Sequence, residues 1–576
     1  MTDGPATVLA PARRVGGAAS GTGAKARAWS GRARASATVV IPALLAGALA
    51  LHGLSGRSIW IDESASISIA AQHGNALWAG IAHDGGNMLV YYLMLHVLVG
   101  WFGDGVEVVR LPSVVATAAS AGLLALVARR LWGHRAAVAS GLLSAVSLPL
   151  VFWGQNARSY ALMVTFVTAS FLAFVVLVDR DRHAPVPRWV WLSYAVVTSL
   201  ACYMSFVAVL VVPAQLLSLA VWRPSAKTVR AVVGALVLAG ISCIPLAVLA
   251  TRRGSGQLFW VVRPTLAGLD QLVHYLASSG VLPNFPLTAT SDALLVITAA
   301  LVVAVTAGGI ARPADPWPAT GPTCDEGSPA PPGRDGQATV ARSRRGRWTW
   351  VLTCGWLVVP VVLGVAESFV GQSIFVPRNF LMCIPAVALL LGAGLTRPQV
   401  PRALGWSTVA VLLVLRGLQV APTYGVSPEN WRAATSYVVA RTEPGDCIAF
   451  YPSDGRMAVD YYLERDPSSE ARAPRPVLPS LPFAEVRAYV EQYVTLSGER
   501  LRAVERSCPR LWLVTSHSGE PGGTTASKAD YTRFVALVGS LQRAYVSTRV
   551  VSFGWASPVR VELLAHRASR APTSGA

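Results

Sequence analysis

Long apolar stretches separated by short polar segments fill the chain between residues 38 and 422. A helix needs about 20 apolar residues to cross the hydrocarbon layer of a bilayer. Eleven stretches approach this length, and each is predicted to be one transmembrane helix. They are 38–54, 112–131, 135–153, 159–178, 190–206, 207–222, 230–250, 292–311, 348–367, 379–396 and 403–421. The pattern therefore predicts an α-helical polytopic membrane protein.

The polar segments between these stretches are rich in arginine, which predicts the side of the membrane on which each lies. Short loops rich in Arg and Lys remain on the cytoplasmic side of a plasma membrane. Placing all of the clusters inside gives a cytoplasmic N-terminus and an external C-terminus; the clusters lie at 129–135, 180–188, 223–230, 342–347 and 397–402. A further apolar segment at 88–102 would break this order as a span, so we expect it to lie along the outer surface.

Three regions lack the membrane pattern. Residues 1–37 are predicted to be a disordered basic cytoplasmic tail before an uncleaved first span, and residues 312–347 a disordered cytoplasmic linker. From 423 to 576 strand and helix patterns alternate, which predicts an extracytoplasmic α/β domain after the transmembrane domain of 38–422. Cys447 and Cys508 lie in this α/β domain and could form a disulfide if it faces an oxidising compartment.

The composition agrees with a membrane protein and argues against a nucleic-acid partner. Only 14% of the residues are charged, against about 25% in soluble domains. The formal net charge is +19, but the arginines lie mostly between apolar stretches and form no binding stripe. We therefore expect membrane lipid, and no nucleic acid, around this chain.

Three candidate carboxylates stand in the predicted outer loop 55–110. Asp62 and Glu63 follow the first span directly, and Asp84 comes about twenty residues later. Acidic residues at a helix start or in a glycine turn often have only a capping or turn role. Acidic residues beside a membrane are costly, however, and a group of them can deprotonate a hydroxyl or hold a divalent cation.

The order and spacing of several short motifs resemble a known family. The motifs are Trp60–Glu63, Asp84–Leu93, Arg110–Ser113, Gln155–Leu162 and Pro377–Phe380, with weaker continuations at 430–434, 444–446 and 460–463. Together they resemble the family 39 glycosyltransferases of actinobacterial type. This family is related to the protein O-mannosyltransferases and the lipid A aminoarabinose transferase, which share the GT-C membrane fold.

The resemblance implies an inverting transfer of sugar from a polyprenyl-phosphate donor to an acceptor hydroxyl on the outer face. Asp62 would be the general base, Glu63 would orient it, and Asp84 would contribute to the site or to a cation. Arg378 and Arg158 would bind the donor phosphate, since Arg forms bidentate contacts with phosphate. The acceptor could be a glycan, a lipid or a protein, and neither it nor the sugar is specified.

One motif departs from the family pattern and affects the metal prediction. Relatives usually read Asp-x-x-His-Pro-Pro before the tyrosine pair, whereas Asn87 stands at the histidine position here. Asn87, His83, Tyr91 and Tyr92 are candidate acceptor or sugar contacts, the tyrosines otherwise being interface anchors. A histidine-dependent zinc role is thus doubtful, no cofactor is predicted firmly, and a divalent cation would fall to Asp62 and Asp84.

Three other functions remain open at this level. A secondary transporter would show repeated halves and charges at the membrane midplane, which we do not find in the sequence. A non-catalytic assembly subunit could have kept the fold and lost the activity. A polymerase of lipid-linked glycans would use a similar outer cavity.

Overall fold

The computed structural model describes residues 21–180, 187–254, 258–281, 285, 288–311, 334–486 and 493–567. The first part is helical. Its α-helices are α1 Gly21–Leu51, α2 Ile61–Ala70, α3 Gly74–His83, α4 Leu89–Phe102, α5 Val106–Trp132, α6 His134–Ala145, α7 Leu148–Gly154, α8 Tyr160–Arg180, α9 Arg188–Met204, α10 Val212–Trp222, α11 Ala226–Ser242, α12 Ile244–Arg253, α13 Leu266–Leu276, α14 Ala289–Ala311, α15 Arg334–Val370, α16 Ile384–Leu395 and α17 Arg402–Val420. Short 3-10 helices cover Phe206–Val211, Pro377–Cys383 and Ala421–Tyr424.

Within the described ranges, six helical segments are long and apolar enough to cross a membrane, or up to eight if two bent pairs each count as one span. The bent pairs are α6 with α7 and α11 with α12, which turn by 60° and 47°. Pro149 and Pro245 each stand at the second position of the later helix, where proline starts a helix well but cannot continue the preceding one. The chain is thus a multi-pass membrane protein.

The predicted count of eleven spans is not confirmed. The predicted spans 38–54, 190–206 and 207–222 correspond to shorter helical segments, at Ser36–Leu51, Arg188–Met204 and Phe206–Trp222. The break at Ser205, where the backbone is extended, divides the last two. Segment 88–102 is helix α4, and its position relative to a membrane stays a prediction.

The two segments predicted to be disordered stay predictions, and the structure assigns helix to part of each. Residues 1–20 and 312–333 lie outside the described residues, but helix α1 already begins at Gly21 and helix α15 at Arg334. Segment 21–37 is rich in Ala and segment 334–347 in Arg, and both residue types are good helix formers. This composition is compatible with the extension of the neighbouring apolar helices.

Helices α5 and α16 form the centre of the membrane part. Helix α5 packs against α1, α6 and α8, and α16 packs against α6. All residues of α16 are buried. A side chain at Gly392 would lie 2.6 Å from the backbone nitrogen of Ser140, so this glycine permits the close approach of α16 to α6.

The C-terminal part is a small α/β domain, as predicted. Its strands are β1 Cys447–Tyr451, β2 Arg475–Leu478, β3 Arg510–Thr515, β4 Tyr545–Phe553 and β5 Val559–His566, in the sheet order β2-β1-β3-β5-β4. Strand β1 is parallel to β2 and β3, whereas β5 is antiparallel to β3 and β4. Its helices are α18 Trp431–Val439, α19 Gly455–Leu463, α20 Pro467–Glu470, α21 Phe483–Val486, α22 Gly498–Ser507 and α23 Thr525–Ala544.

A disulfide joins Cys447 at the start of β1 to Cys508 just before β3. Both sulfur atoms lie in the core between the sheet and the helices on one of its faces. The pairing that the sequence left open is therefore present.

The α/β domain rests on the segment that links α1 to α2. The hydroxyl groups of Tyr462 and Ser58 share a hydrogen bond. The Tyr462 hydroxyl also accepts a hydrogen bond from the backbone N–H of Ile59 at 2.8 Å. Arg432 donates to the carbonyl oxygens of Ser55 and Gly56. The loop at the end of the first helix is thereby held from two sides, by the membrane helices and by the α/β domain.

Candidate active site

Glu63 is completely buried and serves as the anchor of the first loop. Its carboxylate accepts two hydrogen bonds from Arg110, at 2.8 and 2.7 Å, and a third from the backbone N–H of Ala157 at 2.7 Å. It also accepts a longer bond from the N–H of Trp60, the residue that precedes α2. With these partners and no exposure, Glu63 holds helix α2 in place and is not available to substrate.

Arg110 connects this anchor to the loop before α2. Besides Glu63 it donates to the carbonyl oxygens of Leu54, Arg57 and Ser58, at 2.7, 3.2 and 3.1 Å. Its side chain is 1% exposed, so a buried arginine fixes three backbone positions at once. The sequence placed Arg110 only within a motif and assigned no role to it.

Asp62, the neighbour of Glu63, points into a different environment. Its carboxylate lies 3.8 Å from a guanidinium nitrogen of Arg158 and 3.7 Å from one of Arg378, and its side chain is 29% exposed. These separations suit ion pairs but exceed good hydrogen-bond lengths. Asp62 is therefore oriented by positive charge while its oxygens remain open to a further polar group.

The arginines also set the protonation state of Asp62. Burial by itself would raise the pKa of the Asp62 carboxyl, but the charges of Arg158, Arg378 and His517 together hold it below its usual value. Asp62 is consequently ionised throughout the neutral range.

Arg158 stands in the turn between α7 and α8. Ser113 supports this turn through hydrogen bonds to the carbonyl oxygens of Asn156 and Arg158. The guanidinium donates to the Asp62 carbonyl oxygen at 3.2 Å and to the Ser66 hydroxyl at 3.1 Å. Its Nε is buried and has no partner among the described residues.

Arg378 is far from Asp62 in the sequence and lies at the start of the 3-10 helix Pro377–Cys383. Its guanidinium carbon lies 5.2 Å from the ring centre of Trp260, 5.8 Å from that of Tyr160 and 5.9 Å from that of Trp60. Aromatic faces at this range attract a cation. The two arginines predicted to bind phosphate thus meet beside Asp62.

Asp84 closes helix α3 near the same centre. Tyr92 donates a hydrogen bond to its carboxylate at 2.8 Å. Burial raises the pKa of Asp84 to about 6, although Arg158 and the Tyr92 hydrogen bond oppose this, and repulsion from Asp62 adds to it. Asp62 and Asp84 are therefore close enough to influence each other.

The remaining predicted contacts divide into accessible and inaccessible residues. Tyr91 and Tyr92 are buried, so neither ring is open to stack on a sugar, and the Tyr92 hydroxyl contacts Asp84. Asn87 is partly exposed, and its Oδ1 is buried without a partner among the described residues. His83 is partly exposed, and burial and then the charge of Arg253 lower its pKa.

The α/β domain adds three titratable residues that the sequence did not predict. Glu429 is 1% exposed and accepts hydrogen bonds from the N–H of Ile61 at 3.1 Å and from the Trp431 indole at 2.8 Å. Its other oxygen pairs with His517 Nε2 at 2.6 Å. Asp454 is also near, because burial and then repulsion from Asp62 raise its pKa to about 7. No motif linked these positions to Asp62, and only the folded contact reveals them.

A metal centre does not emerge from this arrangement. In the described ranges, no three His, Cys, Asp or Glu residues are grouped so that they could hold a metal ion. Asp62 and Asp84 supply two carboxylates, and an arginine lies beside Asp62 on either side. The arginines therefore supply the positive charge beside Asp62 that a metal ion would otherwise provide.

Comparisons with known proteins identify the fold of the membrane part. The family model described as dolichyl-phosphate-mannose-protein mannosyltransferase matches residues 87–249, a region that includes Arg110 and Arg158 but neither Asp62 nor Arg378. A sequence search found no significant match among curated proteins.

Among solved structures, ArnT from Cupriavidus metallidurans in the apo state aligns with a TM-score of 0.51 at 12% identity, covering 92% of this chain and 98% of that chain. AglB from Archaeoglobus fulgidus aligns with a TM-score of 0.45 at 10% identity, covering 93% and 75%. The arabinofuranosyltransferase AftD from mycobacteria gives 0.43 at 14%, covering 92% and 40%. The ArnT alignment confirms the GT-C fold that the motifs predicted.

Proposed function

We propose that this GT-C membrane protein is an inverting glycosyltransferase that moves a sugar from a polyprenyl-phosphate donor to an acceptor hydroxyl outside the plasma membrane. The observation that carries the proposal is the position of Asp62, ionised and open between Arg158 and Arg378. A carboxylate acceptor for a proton and two arginines for a phosphate are the groups that this reaction needs.

In the proposed reaction Asp62 takes the proton of the acceptor hydroxyl as its oxygen attacks the anomeric carbon. The bond between that carbon and the phosphate oxygen breaks, and its electron pair remains on the polyprenyl phosphate. Because a phosphate monoester is already a good leaving group, a carboxylate of low pKa can suffice when the reactants are held in place. Arg158 and Arg378 would stabilise the charge that develops on the phosphate.

Unpaired polar atoms in the outer loop and on Arg158 support a polar ligand in this region. Arg158 Nε, Trp60 Nε1 and Asn87 Oδ1 are buried without a hydrogen-bond partner among the described residues. Buried polar atoms are nearly always paired in folded proteins. A bound donor, acceptor or water would satisfy them.

The sides of the membrane follow from charge and from the disulfide. Disulfides persist in oxidising compartments and are rare in the cytoplasm, so the bond between Cys447 and Cys508 favours an α/β domain outside the cell. The arginine clusters favour a cytoplasmic N-terminus. The Asp62 site would then open to the outer face, where a glycan, lipid or protein acceptor is met.

The family match favours a polyprenyl-phosphate sugar as donor, because its description names a dolichyl-phosphate mannose. The choice between a hexose and a pentose is left to experiment. The test uses membranes that contain the wild type, Asp62→Asn or Asp292→Asn, with a panel of radiolabelled polyprenyl-phosphate sugars. Asp292 is a matched control because its side chain is 68% exposed and lies at the start of α14.

We expect the wild type and Asp292→Asn to remove label from one donor, and Asp62→Asn to lose activity by about 10²- to 10⁴-fold, the usual contribution of a general base. Parallel samples with EDTA test whether a divalent cation takes part. Equal turnover by Asp62→Asn and wild type would remove Asp62 as the base. Uptake of a solute in vesicles without loss of label would instead support a transporter.

A further inference from the structure

Glu429 and His517 form a hydrogen-bonded pair that the reaction described above does not use. Glu429 is almost fully buried, and its carboxylate is held by the Trp431 indole as well as by the N–H of Ile61. The pair joins residues that are 88 positions apart. One carboxylate therefore contacts both the residue before Asp62 and the ring of His517.

The geometry of His517 suits a group that exchanges protons. Nε2 donates to Glu429 in the neutral ring, which leaves the lone pair of Nδ1 as an acceptor. The ring is 40% exposed, and Nδ1 has no hydrogen-bond partner among the described residues. His517 also has a φ of +52°, an unfavourable conformation for a residue other than glycine that is often found at functional sites.

Four charged groups act on His517 from the elements around it. Partial removal of the ring from water opposes its protonation, and so does the charge of Arg378. The charge and hydrogen bond of Glu429, and then the charge of Asp62, outweigh these effects and raise the pKa of His517 above its usual value. Asp454 and His517 also influence each other. The hydrogen bonds of Glu429 to the Ile61 N–H and to His517 place the ring beside the residue that precedes Asp62, and the charge of Asp62 favours the protonated ring.

We propose that His517 is a proton relay for Asp62 and that the α/β domain thereby supplies part of the catalytic site. The inference rests on the proposed glycosyl transfer. During transfer the acceptor O–H bond breaks, the acceptor oxygen bonds to the anomeric carbon, and the phosphate leaves with the electron pair of the broken bond. The proton passes to the Asp62 carboxylate and then to Nδ1 of neutral His517, which becomes an imidazolium and releases the proton to solvent.

The arginines beside Asp62 set the direction of the relay. The same positive charges that keep Asp62 ionised make its protonated form unstable, so a proton on Asp62 passes readily to a stronger base such as the imidazole of His517. Glu429 is a positioning residue in this scheme, since it holds the ring of His517 and stabilises the imidazolium that forms. The accessible Nδ1 provides the exit.

The first test measures the relation between His517 and Asp62 without any turnover. Histidine hydrogen–deuterium exchange, followed by mass spectrometry, gives the pKa of His517 in the purified wild type and in Asp62→Asn. Loss of the negative charge of Asp62 should lower the pKa of His517. An unchanged value would overturn the proposed relation even if the enzyme transfers sugar.

The second test compares His517→Ala with His566→Ala, using the donor that the wild type consumes. His566 is exposed at the end of β5 and serves as a matched control. We expect His517→Ala to lower kcat at least tenfold with little change in donor KM, and added imidazole to restore activity increasingly as the pH rises through 7. A rate within twofold of the wild type would refute the relay while leaving the role of Asp62 intact. A slow variant that imidazole does not rescue would also refute it, since His517 would then act only on the structure.

Discussion

Glu63 and Arg110 form a fully buried, two-point ion pair that ties helix α2 to helix α5. The adjacent Asp62 carries the same charge but faces the opening between two further arginines. One half of the acidic pair thus fixes the backbone, and the other half is free to react. The division explains how a short loop can hold an ionised carboxylate at a constant position.

The first prediction concerns this buried pair. Glu63→Gln should destabilise the protein by about 3–5 kcal/mol, because it leaves the guanidinium of Arg110 buried without a counter-charge. The measurement is thermal unfolding in detergent, compared with Asp62→Asn, which we expect to unfold near the wild-type temperature. A Glu63→Gln protein as stable as the wild type, but inactive, would instead indicate a direct chemical role for Glu63.

The apolar stretches predicted the membrane helices, and the motifs assigned Asp62, Arg158 and Arg378 to one site, which the structure shows side by side. These residues lie in short motifs next to apolar stretches, so the sequence alone indicates that they stand at the ends of membrane helices. Glu429 and His517 lie in no such motif, and their pairing depends on how the α/β domain packs on the loop before α2. Likewise, the burial of Tyr91 and Tyr92 is a property of packing, which an apolar helix pattern does not specify.

A second prediction follows from the position of Arg378 beside Asp62. Arg378→Ala should raise the donor KM about 10- to 100-fold, which corresponds to the about 1.5–3 kcal/mol of a hydrogen bond to a charged group. Arg378→Lys keeps the charge but loses the planar guanidinium, so its KM should lie between the two. Kinetics with a purified lipid-linked sugar give these values. A donor KM that does not change in Arg378→Ala would exclude the phosphate contact.

The same substitution should alter the pH dependence of the reaction. Arg378 is one of the charges that lower the pKa of Asp62, so its removal should raise that pKa. The acidic limb of kcat/KM should therefore shift to higher pH in Arg378→Ala and remain in place in Arg378→Lys. The profile of each variant between pH 4 and pH 8 checks this, and an identical limb in all three proteins would count against Asp62 as the titrating base.

A further prediction uses the raised pKa of Asp84, about 6 against an ordinary value of 3.8. An acid with a raised pKa in the folded state lowers stability as the pH rises between these two values, because ionisation is easier in the unfolded chain. Asp84→Asn cannot ionise, so it should gain stability relative to the wild type between about pH 4 and pH 6. Unfolding temperatures across this range measure the gain. A difference that stays constant with pH would mean that Asp84 is not held in its protonated form.

The last prediction tests the side of the membrane on which the α/β domain lies. Ser547 is exposed on the edge strand β4, where a new cysteine should not disturb the core. Ser547→Cys in intact cells should react with a membrane-impermeant maleimide above the background of the wild type. Among the described residues the free cysteines, Cys202, Cys243, Cys354 and Cys383, lie in the apolar helical part, and Cys324, outside the described residues, is common to both proteins. Labelling only after lysis would place the domain in the cytoplasm and would move the Asp62 site to the inner face. In that case neither the disulfide nor the arginine clusters would indicate the side of the membrane on which a segment lies, and a donor on the outer leaflet could not reach Asp62.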